Sequence, residues 1–166
     1  MQIRPIINQQ ELGQTSAIFQ RTWQAAYREL LPAAGLQALQ PGDWEAGLVQ
    51  PGRHNLVAQV DGQLVGVVSY GSPRNPQRFW PDTGELMALY VLPEYEGRGI
   101  GARLLAQAEA ALAMQFSRAG LLVLEGNSAA CSFYQRHGWR ATGEMINQVI
   151  FGRPVRLLQY EKSLKK

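Results

Sequence analysis

The stretch Glu96-Gly97-Arg98-Gly99-Ile100-Gly101 constrains the fold of this 166-residue chain more than any other feature. It follows a near-continuous apolar run at residues 85–92, the pattern of a central strand. It opens a run at residues 100–116 in which Leu104, Leu105, Ala108, Ala111 and Leu112 fall on one side of a helix. A short apolar run at residues 121–124 follows Gly120. Strand, glycine turn, helix and strand make a βαβ unit, so its two strands are expected to be parallel. The start of such a helix presents N–H groups without intrahelical partners and a dipole worth about half a positive charge, a ready seat for an anion. A pyrophosphate can approach that closely only where side chains are missing. Gly97, Gly99 and Gly101 meet this need, and Arg98 and Arg103 add positive charge nearby.

The remaining elements surround this unit. Residues 3–7 can open a sheet, and residues 10–31 carry apolar side chains at helical spacing up to Pro32. Residues 33–39 and 43–49 read as one or two shorter helices separated by Pro41-Gly42. Residues 55–60 and 63–70 read as strands joined by Asp61-Gly62, a dipeptide favoured in two-residue hairpins. Asn127 or Ser128 can cap a helix that runs to His137 and stops at Gly138. Residues 139–144 and 155–162 complete the set as strands, with Gly152-Arg153-Pro154 in the connection. The expected architecture is a single α/β (α+β) domain over residues 1–166, a mixed central sheet flanked by helices in the order β-α-α-β-β-β-α-β-α-β-β.

Several function classes fall away. A nucleoside-triphosphate loop requires Lys-Ser or Lys-Thr after its last glycine, where this chain has Ala102-Arg103. A dinucleotide fold is the stronger rival, because Gly97-x-Gly99-x-x-Ala102 fits its relaxed fingerprint and Glu125 follows at a suitable distance. Too little chain remains after Glu125 for the further parallel strands that fold needs, and the turn comes after a hairpin. The net charge of +3 is scattered, with no basic stripe for nucleic acid. One cysteine, Cys131, allows no internal disulfide and too few thiols for structural zinc. No apolar run nears the ~20 residues needed to span a bilayer, and no signal-peptide pattern is evident, so a soluble cytoplasmic protein is expected, with no metal and no membrane partner.

The residues from Glu85 to Trp139 resemble the GNAT superfamily of acetyl-CoA-dependent N-acetyltransferases. The turn at 96–101 is similar to the family's Gln/Arg-x-x-Gly-x-Gly/Ala cofactor motif, and Asn127-x-x-Ala130-x-x-Phe133-Tyr134, ending in Gly138-Trp139, is similar to its later element. The resemblance implies acetyl-CoA as cosubstrate, held by Leu89, Tyr90, Val91, Arg98, Gly99, Gly101, Ala102 and Asn127. It also implies transfer by direct attack in a ternary complex to an amine-bearing small molecule or peptide, and it leaves a homodimer open. Glu96 departs from the motif: its carboxylate would repel a pyrophosphate if it pointed inward.

An amine with a pKa of ~10.4 is almost wholly protonated at pH 7, so attack on a thioester calls for a proton acceptor. Glu85, eleven positions before the motif begins, is the expected base by resemblance to histone-acetylating relatives. Tyr134 is the expected acid that returns a proton to the departing thiolate, again by resemblance. Trp23, Tyr27 and Trp44 are candidates for the wall of an acceptor pocket, and the loop carrying Arg74, Arg78 and Phe79 for its cover. A CoA-binding regulatory module without catalysis is the alternative.

Overall fold

The computed structural model describes residues 1–165. The chain runs β1 (Gln2–Pro5), α1 (Gln9–Ala26), α2 (Ala33–Ala38), α3 (Glu45–Leu48), β2 (Arg53–Val60), β3 (Gln63–Gly71), β4 (Thr83–Val91), α4 (Ile100–Leu112), β5 (Arg118–Leu124), α5 (Ser128–Arg136), β6 (Arg140–Ile150) and β7 (Arg153–Ser163). One seven-stranded sheet has the order β1-β2-β3-β4-β5-β7-β6. Every neighbouring pair is antiparallel except β4 and β5, the parallel pair expected of the βαβ unit.

The two long helices cover opposite faces of this sheet. A Cβ on Gly66 of β3 would meet Leu104 and Ile100 of α4, so that face belongs to α4. Val67 and its register partner Tyr90 point the other way, where Tyr90 meets Phe19 and Trp23 of α1. The main core lies between these layers, with Val57, Val65, Val67, Leu104 and Ala108 fully buried. Burying a Leu or Val side chain of this kind is worth roughly 1.5–3 kcal/mol.

Local chemistry explains the boundaries. Asn8 starts α1 because its side-chain oxygen accepts the Glu11 N–H at 2.8 Å. The Asp61-Gly62 turn has both residues at positive φ, 50° and 80°, the requirement of the tight hairpin turn. Three expectations need correction. The helix expected to reach residue 31 stops at Ala26, because Tyr27, Leu30 and Leu31 leave the helical path to pack, with Trp23 of the last helical turn, against Leu36 and Leu124 in a second small core. Both shorter segments form helices, so three helices precede β2 where the expected order counts two. The strand expected to end at 144 continues to Ile150, and the chain reverses at Phe151-Gly152, at φ 51° and 75°; of the expected connection Gly152 lies in the turn, while Arg153 and Pro154 already belong to β7. Phe151 is a poor turn signal in sequence, since a side chain at positive φ is strained.

Candidate active site

The site begins with a failure of strand pairing. Parallel β4 and β5 are in register only at Thr83–Arg118, Gly84–Ala119 and Glu85–Gly120. Beyond Glu85 they part, and a slot of about 200 Å³ opens between residues 86–91 and 121–123. On the α1 side the slot adjoins a cavity of about 390 Å³. On the α4 side it adjoins a groove of about 520 Å³ that runs over the start of α4 toward α5. Met87, Ala88 and Tyr90 line both slot and cavity, while Leu89, Val91 and Tyr134 line both slot and groove.

A bulge in β4 sets which side chains face which space. Ser69 pairs with Ala88 and Tyr70 with Leu86, so Met87 is an extra residue on β4. The insertion reverses the alternation of the strand. Glu85, before the bulge, and Ala88 and Tyr90, after it, thereby line the same cavity, although their numbers differ in parity.

Glu85 lies at the bottom of this cavity, 2% exposed. Its Oε1 accepts the Arg74 backbone N–H at 3.0 Å and Nε–H at 3.2 Å, and its Oε2 accepts Arg74 Nη2 at 2.7 Å. The charge of the buried carboxylate is therefore balanced by a guanidinium whose own side chain is half exposed. Trp23, Tyr27 and Trp44 do line the cavity, as do Arg74, Arg78 and Phe79 of the covering loop. The loop is pinned by Gln159, whose amide donates to the Arg78 carbonyl.

The groove has a floor of backbone and small side chains at residues 97–102, walled by larger side chains that include Phe133 and Tyr134 of α5. Gly97 and Gly99 stand at φ 75° and 80° with nothing within 4 Å of where a Cβ would sit, so glycine is required there by conformation. Gly101 is helical, and a Cβ would make ordinary contact with Phe133 at 3.6 Å. Gly99 caps α4 without any side-chain hydrogen bond, which leaves the N–H groups of the first turn facing the groove. Among the expected ligand residues, Leu89, Val91, Gly99, Gly101 and Ala102 line the groove. Asn127 caps α5, accepting from Ala130 N–H at 3.3 Å, and also lines the slot. Tyr90 points its ring to the α1 side, where Trp23 donates to its hydroxyl at 3.1 Å. Arg98 is turned away, donating to the Glu94 carbonyl at 3.1 Å and lying 4.8 Å from the Tyr95 ring centroid. Glu96 lies at the meeting of slot and groove, exposed.

Tyr134 stands where slot and groove join, and burial, chiefly, drives its phenol to a pKa well above the ordinary tyrosine value. It therefore keeps its proton throughout the neutral range. Several lining residues had no signal in the sequence. Arg136 and His137 bring basic groups to the groove from the far end of α5. Thr22 brings to the slot a buried hydroxyl without a partner among the described residues. Arg53 reaches the cavity from the start of β2. Among the described residues, no helix is long and apolar enough to cross a membrane.

Comparison with known proteins adds sequence and fold relatives. A family model described as the acetyltransferase (GNAT) family matches residues 15–139, well over half of the chain. The chain is 33% identical over 106 residues to the N-alpha-acetyltransferase RimI of Mycobacterium tuberculosis, a match covering 62% of each protein. It thus spans less than two thirds of that relative's length. A ribosomal-protein-alanine N-acetyltransferase from Brucella melitensis shares 26% identity and a TM-score of 0.72, over 98% of this chain and 99% of the other. The PaiA N-acetyltransferase from Thermoplasma acidophilum, solved in complex with coenzyme A, has a TM-score of 0.71 at 20% identity, over 98% of this chain and 99% of the other.

Proposed function

The chain belongs to the acetyltransferase (GNAT) family, and from that premise we propose that it transfers an acetyl group from acetyl-CoA to a primary amine by direct attack while both are bound. The observation that carries this reading is the slot between β4 and β5, which joins the groove on one face of the sheet to the cavity on the other. A cofactor laid along the groove can reach an acceptor in the cavity only through that opening.

The residues present fit acetyl-CoA. The uncapped first turn of α4, with Gly97 and Gly99 holding the backbone in the left-handed region, suits a pyrophosphate. Arg136 and His137 supply the basic groups that Arg98 does not. Past Glu85 the edge of β4 is free of β5, so its peptide groups at residues 89–91 are available to an extended amide-bearing arm in the manner of an added strand. Asn127 and the Thr22 hydroxyl face the same slot. The coenzyme A bound to the Thermoplasma relative supports this assignment. Acetyl-CoA supplies the activated acetyl thioester, and the chain supplies position and protons.

Glu85 is the proposed proton acceptor for the incoming amine. Arg74 occupies one direction on Oε2 and two on Oε1, leaving Oε2 a lone pair for the amine proton or for a water between them. Tyr134, kept protonated by burial, is placed to give its proton to the departing sulfur. General acid and base assistance of this kind is typically worth about 10²–10⁴ in rate, and alignment of the two reactants across the slot adds to it. The Mycobacterium relative is named for acetylation of an N-alpha amine, which supports an α-amine as the acceptor group.

A thiol-release assay with acetyl-CoA and a panel of amines tests the proposal. Release that depends on the amine and falls in Glu85→Gln and Tyr134→Phe is expected. Binding of acetyl-CoA with no amine-dependent release would favour a non-catalytic CoA-binding module instead.

A further inference from the structure

The acceptor cavity has an unbalanced charge. Three guanidiniums, those of Arg53, Arg74 and Arg78, line it against the single carboxylate of Glu85, and that carboxylate is already taken by Arg74. Arg53 is left over. Its Nε is buried without a hydrogen-bond partner among the described residues. Its Cζ lies 5.9 Å from the Phe19 ring centroid. Burial and the neighbouring Arg74 charge lower its pKa from the usual arginine value.

This placement is held by the backbone. Arg53 N–H donates to the Gln50 carbonyl at 3.2 Å, and the Gly52 carbonyl accepts from Ser72 N–H at 3.2 Å. A Cβ on Gly71, opposite Arg53 in the sheet, would overlap the Gly52 carbonyl oxygen. The chain thus gives up a side chain at 71 to bring Arg53 to the cavity mouth. A partly buried guanidinium whose Nε has no partner is costly unless an anion meets it, and a planar carboxylate matches its donors two at a time. Beside Arg53 one part of the wall is aromatic: Trp44 lies 5.8 Å from Phe19 and 5.7 Å from Trp23, centroid to centroid.

We infer that the acceptor is an amine that also carries a carboxylate, an amino-acid-like molecule whose acid group pairs with Arg53 and whose apolar part lies against Phe19, Trp23 and Trp44. This rests on the transferase reading above and names its substrate class. A peptide N-terminus has an amide where the free amino acid has its carboxylate, so it lacks the group that Arg53 requires.

The test compares L-tryptophan, L-phenylalanine and L-methionine with their primary amides in the thiol-release assay, with rates referred to the free-amine concentration. One charged hydrogen-bonded pair should favour the acid over its amide by about ten- to hundredfold in kcat/KM. Arg53→Gln should bring that ratio to within about twofold of unity, mainly through KM of the acid, and Arg53→Lys should retain part of the preference. Circular dichroism verifies that both variants are folded. Equal use of acid and amide, preference for the amide, silence toward every carboxylate, or a preference that survives in Arg53→Gln would each overturn the inference. Failure of the wild-type chain to bind acetyl-CoA in calorimetry would instead overturn the transferase reading beneath it.

Discussion

The groove on the α4 face and the cavity on the α1 face are built by opposite means. The groove takes its anion seat from the main chain: a short segment, residues 96–102, supplies glycines, uncapped N–H groups and small side chains. The cavity is almost entirely side chain, with Phe19 and Trp23 from α1, Arg53 from β2, Arg74 from a loop and Glu85 and Tyr90 from β4. A main-chain site recognises what a whole family shares. A side-chain site can change its ligand by substitution without disturbing the fold. The division between faces therefore separates the common cosubstrate from the individual acceptor.

Changes at the junction should have the largest effect. Glu85→Gln keeps the shape of the Arg74 contact but removes the proton acceptor, and kcat/KM should fall about 10²–10⁴-fold with little change in acetyl-CoA affinity. Single-turnover thiol release against calorimetry separates the two, and an unchanged rate would remove the role from Glu85.

Changes confined to the groove come next. Gly99→Ala places a side chain in the left-handed region at a cost of about 1–2 kcal/mol, so acetyl-CoA binding should weaken about tenfold by calorimetry. Gly101→Ala, whose Cβ would make only ordinary contact with Phe133, should change it by less than about threefold. If both lose affinity equally, the glycines act through open space and not through backbone conformation.

Glu96→Gln should tighten acetyl-CoA by a smaller factor, about two- to fivefold, as expected for removing one exposed like charge. The gain should shrink as salt rises.

The smallest effect concerns protons alone. Burial is the leading cause of the raised phenol pKa values of Tyr27, Tyr90 and Tyr134. Each favours the folded state fully below the ordinary tyrosine pKa, near 10, and that contribution declines as pH rises above it while the unfolded chain ionises. Phenolate absorbance should show these three titrating later than free tyrosine, together with loss of structure, and Tyr134→Phe should soften the alkaline transition.

The same contrast explains what could be read in the sequence. Strand, turn, helix and strand at residues 85–124 were legible because periodicity and glycine spacing are local properties, and Asp61-Gly62 announced its hairpin for the same reason. Trp23, Tyr27 and Trp44 could be proposed for the cavity as aromatics in the early helices, but nothing in the sequence distinguished them from core. Arg53 could not be found, because its significance lies in having no partner among the described residues in a space assembled from distant segments. The β4 bulge at Met87 was equally hidden: it exists only in the register with β3, yet it decides that Glu85 and Tyr90 share a cavity. The orientation of Arg98 was not legible either, because it is set by the Glu94 carbonyl and the Tyr95 ring three positions earlier.

Two ligands held on opposite faces are proposed to react directly through the opening between β4 and β5. Initial-rate thiol release with acetyl-CoA and a turned-over amine varied together tests it most directly. Intersecting double-reciprocal lines, with no thiol burst when the amine is omitted, are the predicted result. Parallel lines with a stoichiometric burst would mean that the acetyl group first rests on the protein, and would contradict it.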